Sequence, residues 1–358
     1  MKIDQFGDIV HENQTENADL YADIELNGNH DDSFFIVGYK DSLNYNSIIF
    51  SEMNYNFDVL QSWTIGLTNT GSYYPQDFII ANDSLVIIGS NFWYNNNAFQ
   101  SIPHLIRINL NDNEITSVDY PISFIRYLSN IVKLNHINQF KVSLFLFSSA
   151  PTSIATYDYD LNPISDNEIV CNLHSSNKVS YFSDSSYLYS ASKYHNNKRE
   201  LGIAQYNLSD SLLNTTIFPG STDSMTYPAI TNNILVTSDY VWVVGWYNVI
   251  PQYVPCFPES TWVVLNKLNH DLELQEQLFY GGDAVYNPSN IIETTDHNII
   301  VIGSYYNPYL IPYECQFDPF VLKVNSEGLI VNTHNHELPL VHEAIVVPNP
   351  GKEFLAVK

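Results

Sequence analysis

A β-strand signature that returns on average every 53 residues, from one end of the chain to the other, restricts this sequence more than any other feature in it. Short β-branched or aromatic runs close on a small residue at Phe35-Ile36-Val37-Gly38, Val86-Ile87-Ile88-Gly89, Leu146-Phe147-Ser148, Leu188-Tyr189-Ser190-Ala191, Trp242-Val243-Val244-Gly245 and Ile300-Val301-Ile302-Gly303. Those small residues are 51, 59, 43, 54 and 58 positions apart. A second marker keeps the same period: an apolar strand ends in Asn or Asp, a polar turn follows, and another apolar strand begins. Its Asx positions are Asp4, Asn54, Asn109, Asp158, Asn207, Asn269 and Asn325, separated by 50, 55, 49, 49, 62 and 56. Asn and Asp suit such a place because their side chains bind the turn backbone and tolerate left-handed conformations.

Each period reads as four strands: an inner one such as residues 289–294, a tight turn at Asp296-His297-Asn298, the small-ended strand, a longer loop, then the Asx hairpin. Alternation and β-branched or aromatic residues dominate, and no segment carries a helical period. A four-stranded sheet cannot bury both of its faces alone, so its repetition about every 50 residues implies an all-β propeller in which neighbouring blades cover one another. Seven Asx hairpins against six small-ended strands give seven blades over residues 1–336, the first lacking its inner strands. That count implies a chain that starts part-way through a blade of a longer parent. Six blades with a spare N-terminal strand pair is the alternative.

Charge removes one class of function. Fourteen Lys+Arg face 39 Asp+Glu, a formal net charge of -25, and the only arginines are Arg107, Arg126 and Arg199. A chain so acidic does not neutralise a phosphate backbone, so nucleic acid is excluded as a partner. The longest apolar stretch, residues 140–147, falls well short of the ~20 residues a membrane helix needs and reads as a buried strand. The first seven residues hold no apolar signal-peptide core. Cys171, Cys256 and Cys315 have no zinc-ligand spacing, and no metal site is expected.

Residues 275–282, 292–303 and 318–328 together resemble a repeat of exported bacterial propellers of the Bacteroidetes type. That repeat runs as tyrosine-glycine-glycine, a threonine-x-aspartate-glycine-glycine-tyrosine turn, a glycine-ended strand, and an aspartate-led strand closing on aspartate and a glycine turn. Here Gln275-Glu276-Gln277-Leu278-Phe279-Tyr280-Gly281-Gly282 opens it, His297-Asn298 replaces the glycine pair, and Asp318 to Gly328 closes it. The end of the chain, Ala344-Ile345-Val346-Val347-Pro348-Asn349-Pro350-Gly351, is similar to the opening of a type IX secretion C-terminal sorting domain, whose hallmark is Pro348, Asn349 and Pro350 after a β run. The resemblance implies that residues 337–358 are a linker and the start of a truncated sorting domain. It further implies export by the secretion machinery, with release or attachment at the outer cell surface.

Three long loops are expected on one propeller face, at residues 91–103, 246–260 and 304–318. They carry Phe92, Trp93, Tyr94, Trp246, Tyr247, Tyr253, Phe257, Tyr305, Tyr306, Tyr309, Tyr313 and Phe317. Aromatic surfaces with Asn and Asp neighbours suit stacking on sugar rings or docking of a protein, whereas the plainer reading has these loops roofing the propeller. Cys256 and Cys315 fall 11 and 12 residues after Gly245 and Gly303, in loops of adjacent blades. In an oxidising compartment they are disulfide candidates, leaving Cys171 as a buried apolar residue. Asn27, Asn29, Asp31 and Asp32 allow weak Ca2+ binding without the twelfth-position carboxylate of a helix-loop-helix site; no other cofactor is expected. His334 and His336 read as part of a solvated tail. No serine elbow, phosphate loop or His-Glu-x-x-His is present. The function expected is therefore a non-enzymatic exported scaffold binding glycan or protein. A carbohydrate-active enzyme with paired carboxylates is the alternative, and an intracellular WD-type scaffold a third reading.

Overall fold

The computed structural model describes residues 2–3, 9–11, 20–26, 33–42, 45–66, 71–94, 101–120, 127–145, 152–169, 171, 173–195, 198–220, 225–249, 260–307 and 318–331. Among these residues there are strands, turns and bends but no helix. A short pair, β1 (Lys2–Ile3) and β2 (Ile9–His11), precedes six larger antiparallel sheets. The first sheet contains β3 (Leu20–Leu26), β4 (Ser33–Ser42), β5 (Tyr45–Asn54) and β6 (Val59–Ile65), and the second β7 (Gly71–Asn82), β8 (Leu85–Tyr94), β9 (Ser101–Asn109) and β10 (Ile115–Asp119). The third has β11 (Tyr127–Leu134), β12 (Gln139–Phe145), β13 (Ser153–Asp158) and β14 (Pro163–Glu168); the fourth has β15 (His174–Ser183), β16 (Ser186–His195), β17 (Lys198–Asn207) and β18 (Leu212–Ile217). The fifth comprises β19 (Met225–Pro228), β20 (Ile234–Val236), β21 (Val241–Val249), β22 (Trp262–Leu268) and β23 (Leu274–Gly281), with β20 beside β21. The sixth is β24 (Val285–Glu293), β25 (Ile299–Tyr306) and β26 (Asp318–Val324).

The chain is thus an all-β propeller with six blades, which corrects the expected seven and matches the alternative. Beside the first Asx position, strands of two and three residues form a two-stranded sheet of their own among the described residues. Turn chemistry is local, so a turn marker counts hairpins, and a hairpin alone is too small to make a stable sheet.

Two compact units divide the chain: Met1–Lys2, Val10–Tyr189 and Gln205–Leu213 in one, Ile3–Ile9, Ser190–Ala204 and Asn214–Lys358 in the other. In the first unit, one core lies between the first and second sheets, with Phe35, Phe50, Phe78 and Ile88, and another between the second and third, with Ile87, Leu128, Phe140 and Tyr157. In the second unit the equivalent core joins the fifth and sixth sheets through Trp242, Leu265, Ile299 and Val301. Within each unit these consecutive sheets cover one another, as the repeat requires.

The Asx turns are built as the sequence indicates. Asn54 Oδ1 accepts the N–H groups of Asn56 and Asp58, both at 2.9 Å, and Asn325 Oδ1 accepts those of Glu327 and Leu329 at 3.0 and 2.9 Å. Asp158 and Asn269 repeat the pair, and Asn207 keeps the second bond. Three residues after each of these five, the backbone turns left-handed: Phe57, Leu161, Asp210, Leu272 and Gly328 have φ of 64°, 65°, 63°, 61° and 77°. Asp4 lies outside the described residues.

These tips also join sheets. Trp63 Nε1 and Gln61 Nε2 donate to Asn113 Oδ1 at the next tip, Thr216 Oγ1 donates to the Leu272 carbonyl, and Tyr280 OH donates to that of Gly328. The strongest such junction is buried: Lys141 Nζ lies 2.6 Å from Asp210 Oδ1, with side-chain exposures of 0% and 2%. Asp210 also accepts from Tyr187 OH and Asn167 Nδ2, and Lys141 from its side donates to Thr156 and the Leu208 carbonyl. Burial pulls the Lys141 ammonium below the usual lysine range, and Asp210 opposes that shift.

A bulge in the inner strand explains the small-residue marker. The register of β24 slips between Pro288 and Asn290, opposite Gly303 and Ile302 on β25, and that of β7 slips between Pro75 and Asp77, opposite Ser90 and Gly89. A Cβ at Gly303 would stand 2.3 Å from the Asn287 carbonyl oxygen, and one at Gly89 2.7 Å from Leu128 Cδ2. At Gly303 the obstacle is the bulged backbone itself, whereas at Gly89 it is the Leu128 side chain of the next sheet, so each position takes a small residue for its own reason.

Candidate functional site: an aromatic row

The aromatic residues expected in long loops stand instead at strand ends. β8 runs on to Tyr94, β21 to Val249 and β25 to Tyr306, so Trp93, Tyr94, Trp246, Tyr247, Tyr305 and Tyr306 are ladder residues. Aromatic side chains fit a pleated, half-buried surface, and pairing with an aromatic-rich inner strand extends each ladder past the bulge. The loop assignment for these six positions is therefore corrected. Tyr253, Tyr309, Tyr313, the disulfide candidates Cys256 and Cys315, the Asn27 to Asp32 segment and Pro348, Asn349 and Pro350 lie outside the described residues.

Around Trp93 the first unit assembles a continuous row. Tyr39 on β4 meets Tyr74 on β7 edge-on at 5.4 Å between ring centroids, and Tyr74 meets Trp93 on β8 at 6.3 Å. Trp93 lies 5.5 Å from Tyr127 on β11, and Tyr127 5.6 Å from Phe145 on β12. The row crosses three sheets. Tyr39, Tyr74, Trp93 and Phe145 are half-buried and Tyr127 is buried, so rings are held by one another while several keep an accessible part. Burial pushes the Tyr127 phenol up from its ordinary value.

Backbone clamps fix this spacing. Asn91 on β8 donates from Nδ2 to the Leu128 carbonyl at 3.0 Å and accepts the Leu128 N–H at 2.8 Å. That amide imitates a ladder residue and locks Tyr127 beside Trp93. On the first-sheet side, the Asn46 N–H donates to Ser72 Oγ at 3.1 Å, two residues from Tyr74. Phe92, the strand neighbour of Trp93, is buried against Tyr73 at 4.6 Å and is a core residue.

The second unit holds separate groups. Trp246 lies 6.4 Å from Tyr227, over which Arg199 stands at 4.7 Å; Tyr247 meets Phe279 edge-on at 5.0 Å; Tyr305 stacks on Tyr286 at 5.9 Å. Tyr306 is buried. Each group belongs to its own sheet or sheet pair, so the sequence-level set is one row and several outliers. Sequence reasoning missed Tyr39, Tyr74, Tyr127 and Phe145, although Tyr39 directly follows the small-residue marker Gly38 as Trp246 follows Gly245.

Among the described residues no group of three or more His, Cys, Asp or Glu side chains could hold a metal ion. Cys171 is buried and unbridged, as expected. His104 Nδ1 approaches Asp119 Oδ1 at 2.7 Å on paired positions of β9 and β10. In the Asp296 turn, hydrogen bonds from Thr294, Lys323 and Asn298 hold the Asp296 carboxyl well below the usual range, and Glu293 raises His297. His297 itself occupies, at φ 57°, the left-handed place where the resembling repeat has glycine. No helix among the described residues is long and apolar enough to cross a membrane.

No family model and no curated protein matches this sequence. Solved structures do match in shape. Hydrazine synthase of Kuenenia stuttgartiensis superposes with a TM-score of 0.54 at 9% identity, over 86% of this chain and 83% of that one. The β-propeller domain of the Trilobed protease from Pyrococcus furiosus gives 0.45 at 10% identity, over 89% and 93%, and an α-L-arabinofuranosidase from Fusarium graminearum 0.40 at 13%, over 61% and 68%. At such identities the first of these likenesses speaks for the fold alone.

Proposed function

We propose that the chain is an exported, non-enzymatic binding propeller whose ligand is a neutral glycan seated along Tyr39, Tyr74 and Trp93, with the buried Tyr127 ring backing Trp93. The observation that carries this reading is the half-buried aromatic row running across three sheets, fixed by amide clamps. Sugar rings present flat C–H faces that pack on aromatic rings, while tyrosine hydroxyls supply hydrogen bonds at the edges. A net charge of -25 disfavours acidic polysaccharides and leaves neutral ones. A rigid row of rings also orders few side chains on binding. Export rests on the resemblance of Pro348-Asn349-Pro350 and its flanks to a type IX sorting domain, which places the ligand in the extracellular space.

The test is a neutral and acidic glycan array read beside a glycosidase screen on the same sample. Retention of neutral glycans by the parent protein, lost about tenfold or more in Trp93→Ala at unchanged urea midpoint, is the expected result. Hydrolysis of a bound glycan assigns the site to a carbohydrate-active enzyme. Absence of glycan binding together with capture of a purified surface protein moves the row to protein recognition.

A further inference from the structure

One corner of the fifth sheet sets an indole on a glycine turn. Trp262 on β22 stands directly opposite Tyr247 on β21 and Gly281 on β23, and Phe279 stands opposite Val264, two residues along from Trp262. Directly opposed residues, and those two apart, point to the same side of a sheet, so Tyr247, Trp262 and Phe279 share one side. The other side, with Val263, Leu265, Leu278 and Tyr280, is packed into the core between the fifth and sixth sheets. A Cβ at Gly282 would collide with Cε2, Cζ2 and Cη2 of Trp262, so the six-membered ring of the indole covers that glycine. Gly281 and Gly282 have φ of 103° and 93°, which glycine adopts without strain, and the Gly282 N–H donates to the Thr261 carbonyl at 2.9 Å. The turn is thereby fastened to the strand that carries the indole.

All three rings are half-buried, and Tyr247 meets Phe279 edge-on at 5.0 Å. A tryptophan that serves packing commonly commits its N–H, as Trp63 does in donating to Asn113 Oδ1 at 2.9 Å. Among the described residues no hydrogen bond engages Trp262 Nε1 or Tyr247 OH, and no ring stacks on the Trp262 indole. We propose that Trp262, Tyr247 and Phe279 form a second carbohydrate site, in which one neutral pyranose unit stacks on the indole. This site shares its ligand class with the aromatic row, and so rests on that reading, but shares none of its residues. The C–H face of the sugar packs on the ring, while the indole N–H, which can only donate, and the Tyr247 hydroxyl reach sugar oxygens at the edge. An indole seated on a fastened turn loses little freedom when a ligand arrives.

The experiment uses the full chain, isotope-labelled at the tryptophan indole nitrogen and titrated with cellohexaose, mannohexaose and chitohexaose, with hexagalacturonate as the acidic control. Magnetic resonance peaks of the five indoles are assigned by replacing each tryptophan in turn with Phe. The expected result is a saturable shift of the Trp262 peak with at least one neutral hexasaccharide, kept in Trp93→Ala, while the buried Trp242 peak stays still. In that Trp93→Ala background, Trp262→Ala should weaken the remaining binding about tenfold or more by calorimetry, and Trp262→Phe should restore most of it. A Trp262 peak that stays still while the Trp93 peak moves overturns this site and leaves the row standing. If no indole moves with any neutral glycan, both sites fall. A Trp262 shift matched by hexagalacturonate, or shared equally by Trp63 and Trp242, also overturns the proposal, because neither outcome is stacking of a neutral sugar at this corner.

Discussion

The second strands of the third and sixth sheets are buried in the opposite sense to their sequence patterns. Residues 140–145 alternate as Phe-Lys-Val-Ser-Leu-Phe and by pattern alone read as a strand buried on one side, whereas residues 299–302 are apolar throughout and read as buried on two. In the third sheet every residue from Phe140 to Leu144 is buried, including the Lys141 ammonium, because sheets stand on both sides. In the sixth, burial alternates along β25, whose buried side packs on the fifth sheet. Hydrophobic sequence states what a strand tolerates on each face. It does not state what stands opposite.

That contrast can be broken in the closed region first. Lys141→Met leaves the Asp210 carboxylate buried without its cation and is expected to cost about 3–5 kcal/mol, read as a fall in the urea midpoint. A loss below about 1 kcal/mol would mean the pair is far better hydrated than its 0% and 2% exposures indicate. Next, Leu144→Ala should cost about 2–5 kcal/mol, whereas Ile302→Ala should cost about 1 kcal/mol or less. If Ile302→Ala approached Leu144→Ala, the Ile302 side chain would carry tighter cover than its exposure suggests.

Alkaline pH tests the closed region without mutation. Burial, and secondarily the Asp166 charge, pushes Tyr157 up to about 12. A group whose folded value lies above its unfolded one stabilises fully below the unfolded value near 10, and this contribution is lost as pH rises toward 12. The slope is about 1.4 kcal/mol per pH unit for one such tyrosine. Tyrosinate absorbance should therefore appear first from exposed phenols, with a second, cooperative step tied to loss of circular dichroism. A single non-cooperative step near pH 10 would contradict the packing of the third sheet. The smallest effect is expected at the turns: Asn269→Ala removes acceptors for Asp271 and Glu273 N–H groups and should cost about 1 kcal/mol in a urea titration. Asn54→Ala should behave alike, since the turn is the same device.

Much of the propeller was legible because its signals are local. An Asx side chain binds backbone two and four residues ahead, and that geometry is identical at Asn54, Asp158, Asn269 and Asn325 whatever surrounds it. The candidate site was legible only in part. Trp93 is visible as an aromatic near a repeat marker, but its partners Tyr74 and Tyr127 lie 19 and 34 positions away and meet it through strand pairing and sheet packing.

By itself the sequence determined the β-only architecture, its period, the places of the described Asx turns and the need for a small residue at Gly89, Gly245 and Gly303. These follow from hydrogen bonds and sterics among neighbours in the chain. The tertiary structure decided the number of sheets, the Lys141–Asp210 junction, the row of rings and the alternating burial of β25 in the sixth sheet. Each of those depends on which side chains, about one repeat apart, come to face one another across a sheet junction.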